Sequence, residues 1–475
     1  MKYDITQYGA VGDGTYDCTQ AFADAIEKVR QAGGGTVLVP PGRFLTGTVA
    51  LCSNCTLEIE PGGTIVGSPR LEDYTEFEWG HNKDRTHWHL VVARDVQNVT
   101  ICGGGTIDGS GPAFWDPQEK PGEFILCRSG KRPSPMVDFK NCVDVKIRDV
   151  VLTNSAGWTC NIHDCDHTVI DGVRIYNDPL GPNTDGFDLT GVHDLVLSNC
   201  FVDTGDDAIC LKTTDDSRDI EHVTVTNCVI RTHCVGLKLG CNESVHDMKR
   251  VTFSNCVVHG SSRVIALYAY EGGVYEDISF SNIVGDTRVA IIQNRPIQIE
   301  ARKNSEKTAH AGAIRNVTID GFSCETDGRI MIVEADDGLV EHIRLRNIHL
   351  RYPFIFDPVP TADIAKSNQF PKHSPEARRA RAAVVVDRAR DVEIDGLSVQ
   401  WPQGDVPAEW RFEQRMQNGG LELFDEQPYE AVPFHAVWLH RAHRVTVGGV
   451  LPPGSQSGVE SLSAEDSTDV RLEKE

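Results

Sequence analysis

No stretch of this chain approaches the ~18 consecutive apolar residues that a membrane-crossing helix requires, so no membrane span is expected. The opening MKYDITQYGAVGDG has no apolar h-region and carries no recognisable secretion signal, which predicts an intracellular protein, or a secreted one only if a leader has been trimmed. Positive charge is scarce, with 46 Lys and Arg against 69 Asp and Glu and a net charge of −23. A nucleic-acid partner needs a basic surface to neutralise phosphates and is therefore excluded. The same field weighs against a densely anionic polymer. Among the 15 cysteines no CxxC pair stands out, the nearest clusters being Cys52/Cys55 and Cys160/Cys165. Neither Cys52/Cys55 nor Cys160/Cys165 has a histidine at zinc-finger spacing, so no structural metal is expected. An odd cysteine count with no secretion signal points to reduced thiols.

What is present is repetition. Asp17 or Thr19 is placed to cap a helix over roughly Gln20 to Gln31, with Phe22, Ala25, Ile26 and Val29 on one face and Gly33-Gly34-Gly35 stopping it. After residue 48 the helical period fades. Short Val/Ile/Thr-rich segments closed by Asn, Asp or Gly follow one another, such as VKIRDVVLTNS, LVLSNCFV, VTVTNCVI and VTFSNCVV. Asn199, Asn227, Asn255 and Asn282 lie 28, 28 and 27 residues apart, and Cys200, Cys228 and Cys256 keep step. A steady period without intervening helices predicts an all-β solenoid of stacked coils, a parallel β-helix. The asparagines are expected to form an amide ladder at a turn, and the cysteines a stack of small buried side chains.

The expected organisation is one domain over 1–475. Residues 1–48 form an N-terminal cap, 49–357 the core coils, 358–435 the last coils with long insertions at 358–382 and 401–435, and 436–475 a strand with a weakly structured acidic tail.

Two acidic groups carry the chemistry. Asn183-Thr184-Asp185-Gly186-Phe187-Asp188 is followed 21 residues later by Gly205-Asp206-Asp207-Ala208. On adjacent rungs, about 4.8 Å apart, Asp185 and the Asp206-Asp207 pair converge. Neighbouring carboxylates push one of their number towards the protonated form. Glycosidic bond cleavage needs one carboxylic acid and one carboxylate. The residues alone equally fit a calcium site or aspartates capping turns.

The NTDG and GDD motifs at this distance resemble glycoside hydrolase family 28, the polygalacturonase family. YDITQYGAVGDGTYDCTQAFADAI, GGGTVLVPPGRF and VTICGGGTIDGSGPAFW resemble the first coils of these pectin-degrading enzymes, so the resemblance runs over roughly residues 3 to 350. It implies a right-handed parallel β-helix of the pectin lyase-like kind. It also implies that Asp206 is the general acid, that Asp185 and Asp207 activate water, that the anomeric configuration inverts, and that no metal or organic cofactor takes part.

The chain departs from that pattern in two places. Val235 stands where the family's histidine is expected, with His233 two residues away as its nearest substitute. Ala266 and Tyr268 stand where an arginine and a lysine grip the substrate carboxylate. Either other cations replace that clamp or the sugar at the cleavage point is neutral. The 28-residue register puts Lys212 and Lys238 on the same strip, with Arg263 and Arg295 further along. Tyr268, Tyr270 and Glu271 form a polar-aromatic group. The candidate substrate-binding residues are thus Asn183, Asp188, Lys212, His233, Lys238, Tyr268, Glu271 and Arg295. Trp79, Trp88, Trp115 and Trp158 are candidate sugar platforms. EWGHNKDRTHWH, with His81, His87 and His89, reads as a loop closing one end of the cleft.

The expected function is an inverting, exo-acting glycosidase on pectin-derived oligosaccharides that releases a neutral sugar such as rhamnose. A galacturonide hydrolase using other cations is the alternative. A polysaccharide lyase on the same fold and a non-catalytic glycan-binding β-helix are the competing classes.

Overall fold

The computed structural model describes residues 1–78, 85–116, 131–289, 294–362, 373–411, 415–417, 420–422 and 432–473. Contacts divide the chain into two compact units. The first is Met1–Pro121, Ile125–Leu211 and Asp216–Ile230, and the second is Gly122–Phe124, Lys212–Asp215 and Arg231–Glu475. Each is a stack of right-handed parallel coils.

In the first unit every coil crosses three parallel rows of strands. One row runs through Gly35–Val39, Cys55–Ile59, Gln97–Cys102, Val143–Arg148, Asp166–Asp171, His193–Ser198 and Ile220–Thr226. Register puts Leu57, Ile101, Ile147, Ile170, Leu197 and Val225 in one inward column. All six are 0% exposed. Burying one such side chain is worth about 1.5–3 kcal/mol, so each added rung stabilises its neighbours.

The helix covers Thr19–Gln31, one residue longer than expected. Asp17 Oδ1 accepts from the Thr19 backbone N–H at 2.9 Å. Ala21, Phe22, Ala25, Ile26 and Val29 are buried. They pack on the Lys2–Asp4, Gly35–Val39, Val49–Ala50 and Cys55–Ile59 strands, the open end of the first coils. No described helix is long and apolar enough to cross a membrane.

In the second unit the strands lengthen to 12–13 residues, as in Met248–His259, Val274–Asp286, Ala313–Glu325 and Leu339–Arg351. Each holds two left-handed residues, the second of which marks a corner. Asn255 (φ 54°), Asn282 (53°), Gly321 (70°), Asn347 (51°) and Gly396 (64°) occupy that corner on successive rungs. Asn and Gly tolerate this conformation best. The amide ladder is present within each unit: Asn227 Nδ2 donates to Asn199 Oδ1 at 3.4 Å, and Asn282 Nδ2 to Asn255 Oδ1 at 3.1 Å. Beside it Cys200, Cys228 and Cys256 are each 1% exposed. Phe253 and Phe280 stack inside, centroids 4.8 Å apart and planes 3° from parallel.

The 358–382 insertion contains a short helix, Pro375–Arg379. Ser374 Oγ caps it by accepting from Ala377 N–H at 3.0 Å, and Arg329 Nη1 donates to Ala377 O at 3.2 Å. The expected acidic tail differs from expectation. Leu462–Glu465 and Thr468–Glu473 are strands, paired in parallel with His435–His440 and His443–Gly448. Backbone pairing to the rung before them orders a segment whose side chains alone give little reason for order.

Candidate active site

The three aspartates come together in the first unit through backbone register. Thr159 N–H donates to Asp185 O at 3.0 Å, and Gly186 N–H to Asp207 O at 2.8 Å. Asp185 therefore stacks directly on Asp207, one rung apart. Both are nearly buried, at 3% and 4% exposure, while Asp206 is more open. Oxygens of the Asp206 and Asp207 carboxylates lie within 4.8 Å of each other.

The glycines of both motifs are dictated by this stacking. A Cβ on Gly186 would lie 2.4 Å from Ala208 O and 2.8 Å from Val202 Cγ1. One on Gly205 would lie 2.7 Å from Pro179 O and 2.8 Å from Thr184 Oγ1. Thr204 Oγ1 donates to Asp206 O at 2.7 Å, and Asp207 N–H donates to Asp206 Oδ1 at 2.9 Å. Asn183, held left-handed at φ 52°, donates Nδ2–H to Asp206 Oδ2 at 3.3 Å. Its own Oδ1 accepts from Arg132 Nη2 at 3.3 Å. The acid candidate is thus oriented through both of its oxygens.

Asp188 belongs to a second feature that the motif alone does not reveal. The Val137–Lys140, Cys160–His163 and Phe187–Thr190 strands pair so that Asp138, Asn161 and Asp188 form one outward row. Lys140, His163 and Thr190 form the next. Asn161 Nδ2 donates to Asp138 Oδ1 at 2.6 Å, and Thr190 Oγ1 to Asn161 Oδ1 at 3.2 Å. His89 Nδ1 lies 2.9 Å from Pro135 O, and its Nε2 faces Asp138 Oδ2 at 3.8 Å. Burial lowers the His89 pKa below the usual histidine value, with Asp138 opposing. Lys140 Nζ donates to Asp216 Oδ2 at 2.6 Å, with Arg85 Nη1 3.7 Å from the same oxygen. Counting coils back from Asp188 by 27 and 23 residues reaches Asn161 and Asp138, and that is the signal that would have found them.

The other expected site residues lie in the second unit. Lys212 is 2% exposed, its Nζ 3.9 Å from Glu243 Oε2. Lys238 pairs in register with Ala266, and Gly240 with Tyr268, as the 28-residue spacing requires. His233 is partly exposed at the turn before the Val235–Ser244 strand. Val235, Ala266, Tyr268 and Tyr270 form one buried cluster. Tyr268 and Tyr270 are neighbours, 5.4 Å between centroids, but their hydroxyls reach Gln298 and Glu300 rather than Glu271. Glu271 instead accepts from Asn304 Nδ2 at 2.9 Å, so the expected Tyr268–Tyr270–Glu271 group is split.

Among the aromatic candidates, Trp158 is a core side chain at 3% exposure. Trp115 Nε1 donates to Ala156 O at 2.9 Å. Trp88 packs edge-on to His87. Trp79 and His81 lie outside the described residues.

Asp185 and Asp207 thus stack on adjacent rungs, with the hydrogen-bonded Asp206 next to Asp207 in the chain. The family model for glycosyl hydrolases family 28 matches residues 33–363. The chain belongs to this family. A probable polygalacturonase of Arabidopsis thaliana is 29% identical over 215 residues, 44% of this chain and 42% of that protein. An exopolygalacturonase of Zea mays is 29% identical over 214 residues, covering 44% and 48%. The chain thus spans less than half the length of these curated relatives. Among solved structures, a hyperthermoactive exopolygalacturonase from Thermotoga maritima superposes with a TM-score of 0.64 at 25% identity, over 74% of this family 28 chain and 87% of that one. A family 28 exopolygalacturonase from Yersinia enterocolitica gives 0.67 at 15% identity over 94% and 78%, a likeness of fold.

Proposed function

We propose that this family 28 member is an inverting, exo-acting glycoside hydrolase that removes a neutral terminal sugar, such as rhamnose, from pectin-derived oligosaccharides. The observation that carries the reading is the Asp185–Asp207 stack beside the hydrogen-bonded Asp206. Asp206, the most open of the three, protonates the glycosidic oxygen. Asp185 and Asp207 take the proton of a water that attacks the anomeric carbon from the opposite face as the bond to the leaving oxygen breaks. The Asp206 and Asp207 oxygens lie within 4.8 Å of each other, closer than the roughly 6.5–9.5 Å common to inverting pairs, so the product anomer is the measurement that decides between inversion and retention. No metal enters this scheme.

The neutral sugar is supported by what lines the strips. Asp138, Asn161 and Asp188 form a fully buried, acidic row, beside which an added carboxylate would be expensive to bury. Ala266 and Tyr268 sit in an apolar cluster where a uronate clamp would need charge. Action at chain ends is favoured by relatives and structural neighbours named exopolygalacturonases.

The test is a screen of aryl glycosides and pectic oligosaccharides with the product anomer followed by proton NMR. The expected result is release of one terminal sugar with inverted configuration. A retained anomer overturns the mechanism, and an unsaturated product absorbing in the ultraviolet establishes a lyase instead. Asp206→Asn is expected to lower kcat by about 10²–10⁴ while leaving ligand binding in place, the scale of a lost general acid. Binding without turnover in wild type and variant alike would establish a glycan-binding protein.

A further inference from the structure

Arg132 stands outside both acidic motifs, yet the first unit buries it beside them. Its side chain is 0% exposed, and its Nη2 donates to Asn183 Oδ1 at 3.3 Å. The segment that carries it is pinned from two sides. Thr86 N–H donates to Ser134 O at 2.7 Å, and Thr86 Oγ1 donates to Arg132 O and to Ser134 O. On the other side, Ser134 Oγ accepts from Trp158 N–H at 3.0 Å. A Cβ on Gly157 would lie 2.4 Å from Ser134 Oγ and 3.0 Å from Arg132 Nε. The bare glycine thus leaves open the slot that the arginine fills.

A guanidinium is a costly group to place there. It stays charged, offers donors and no acceptor, and must be taken out of water. An apolar side chain of similar length would fill the slot without that cost. What the cation adds is a polarity. The Asn183 amide has an acceptor end and a donor end of nearly the same size and shape. Arg132 can bond only the acceptor end. Oδ1 therefore turns to the arginine, and Nδ2 is left to meet Asp206 Oδ2 at 3.3 Å. Reversed, the amide would set its own oxygen against a carboxylate oxygen, and the two would repel. Asp206 Oδ1 accepts from Asp207 N–H at 2.9 Å. Each oxygen of the acid candidate thus accepts one fixed hydrogen bond and keeps a lone pair for the proton that it delivers.

We propose that Arg132 is a positioning residue for the hydrolysis: it touches no reacting atom and sets which end of the Asn183 amide meets Asp206. This rests on the reading of Asp206 as the general acid. It assigns the buried cation to the orientation and protonation of that acid, and not to the substrate.

The test compares Arg132→Met, Arg132→Lys and Asn183→Asp with wild type in the full chain. Arg132→Met is expected to lower kcat about tenfold, the scale of a misplaced catalytic group, with KM little changed. The limb of the kcat profile on which the acid loses its proton is expected to move to higher pH. A carboxylate that loses a nearby cation and a fixed donor holds its proton more tightly. Arg132→Lys keeps a charged donor and is expected to recover part of both effects. Asn183→Asp is nearly isosteric and leaves Arg132 paired, but its ionised side chain cannot donate to Asp206, so it is expected to match the loss in Arg132→Met. Added to Asn183→Ala, Arg132→Met is expected to cost less than about threefold further, because the two act through one link. A carbon-13 NMR titration of the Asp206 carboxyl, assigned with Asp206→Asn, reads the same upward shift without turnover. If wild type hydrolyses no substrate, the hydrolase reading fails and this titration alone decides the positioning role. Far-ultraviolet circular dichroism checks folding, and Asn183→Asp carries the test if Arg132→Met does not fold. An unmoved Asp206 titration in these variants, a wild-type kcat in Asn183→Asp, or full additivity of Arg132→Met with Asn183→Ala overturns the proposal.

Discussion

Asn183 links a buried arginine to the acid candidate: its Oδ1 accepts from Arg132 Nη2 and its Nδ2 donates to Asp206 Oδ2, each at 3.3 Å. The side chain is short, and its left-handed backbone, φ 52°, aims it across the rung. Asn183→Ala removes the link and adds the cost of a left-handed alanine, about 1–2 kcal/mol. Steady-state kinetics are expected to show kcat down by about 10–10², the scale of a misplaced catalytic group, with KM little changed. A kcat equal to wild type would remove Asn183 from the mechanism.

Gly186 is expected to tolerate no side chain. Its Cβ position is 2.4 Å from Ala208 O, a main-chain atom that cannot move without shifting Asp207. Gly186→Ala is expected to cost about 1–3 kcal/mol by overpacking and to reduce turnover beyond what the lost stability explains. Urea unfolding beside kinetics at a temperature where the variant is folded separates the two effects.

Glu271 makes stability depend on pH. Burial raises its pKa, only partly opposed by Asn304 and the Ser244 backbone. A carboxylate raised on folding contributes stability that is fully present below its unfolded value and is lost as pH rises through the folded one. Glu271→Gln is therefore expected to melt above wild type at pH 7, with the gap closing as pH falls below the ordinary glutamate value. Thermal melts at the two ends of that window check it.

The ladder asparagines carry backbone strain that other residues meet less well. Asn255 sits at φ 54° and its Oδ1 accepts from Asn282. Asn255→Ala is expected to destabilise by about 1–2 kcal/mol, and Asn255→Gly by less, because glycine keeps the corner and loses only the amide contact. Chemical denaturation of the three proteins reads the order.

That corner also explains how much of the fold was legible. Asn199, Asn227, Asn255 and Asn282 repeat because a left-handed turn selects Asn, and the cysteine beside each of the first three is small enough to stack inside, Ile283 taking that place beside Asn282. Earlier and later rungs use Asp149, Gly172, Gly321 and Gly396 for the same turn, so the geometry continues where the letter changes. A second left-handed corner runs through Asp194, His222, Arg250, Asp277 and His342. Histidine and arginine are not turn formers by propensity, so the His222, Arg250 and His342 rungs break a pattern that Asp194, Asp277 and Asn316 carry.

The site was legible to the same extent. NTDG and GDD are local motifs, and coil spacing brought Asp185 onto Asp207. Asp138 and Asn161 lie on shorter coils, 23 residues apart, outside the 28-residue register that placed Lys238 opposite Ala266. His373 meets Glu300 from a segment 73 residues away in sequence, through an insertion that follows no period at all.

The two kinds of corner divide the labour of the coil. The asparagine corner turns in one residue and admits no extra length, since a single added residue would flip every following side chain between core and solvent. The opposite corner, leading into the strands that carry Asp138, Arg295 and Val384, takes long connections such as 109–136 and 352–381, and a further one, 302–312, follows the Arg295–Ala301 strand. Length can change there without disturbing a rung. A lineage of such chains can thus acquire new substrates by rewriting one edge of the coil while the stacked aspartates keep their spacing.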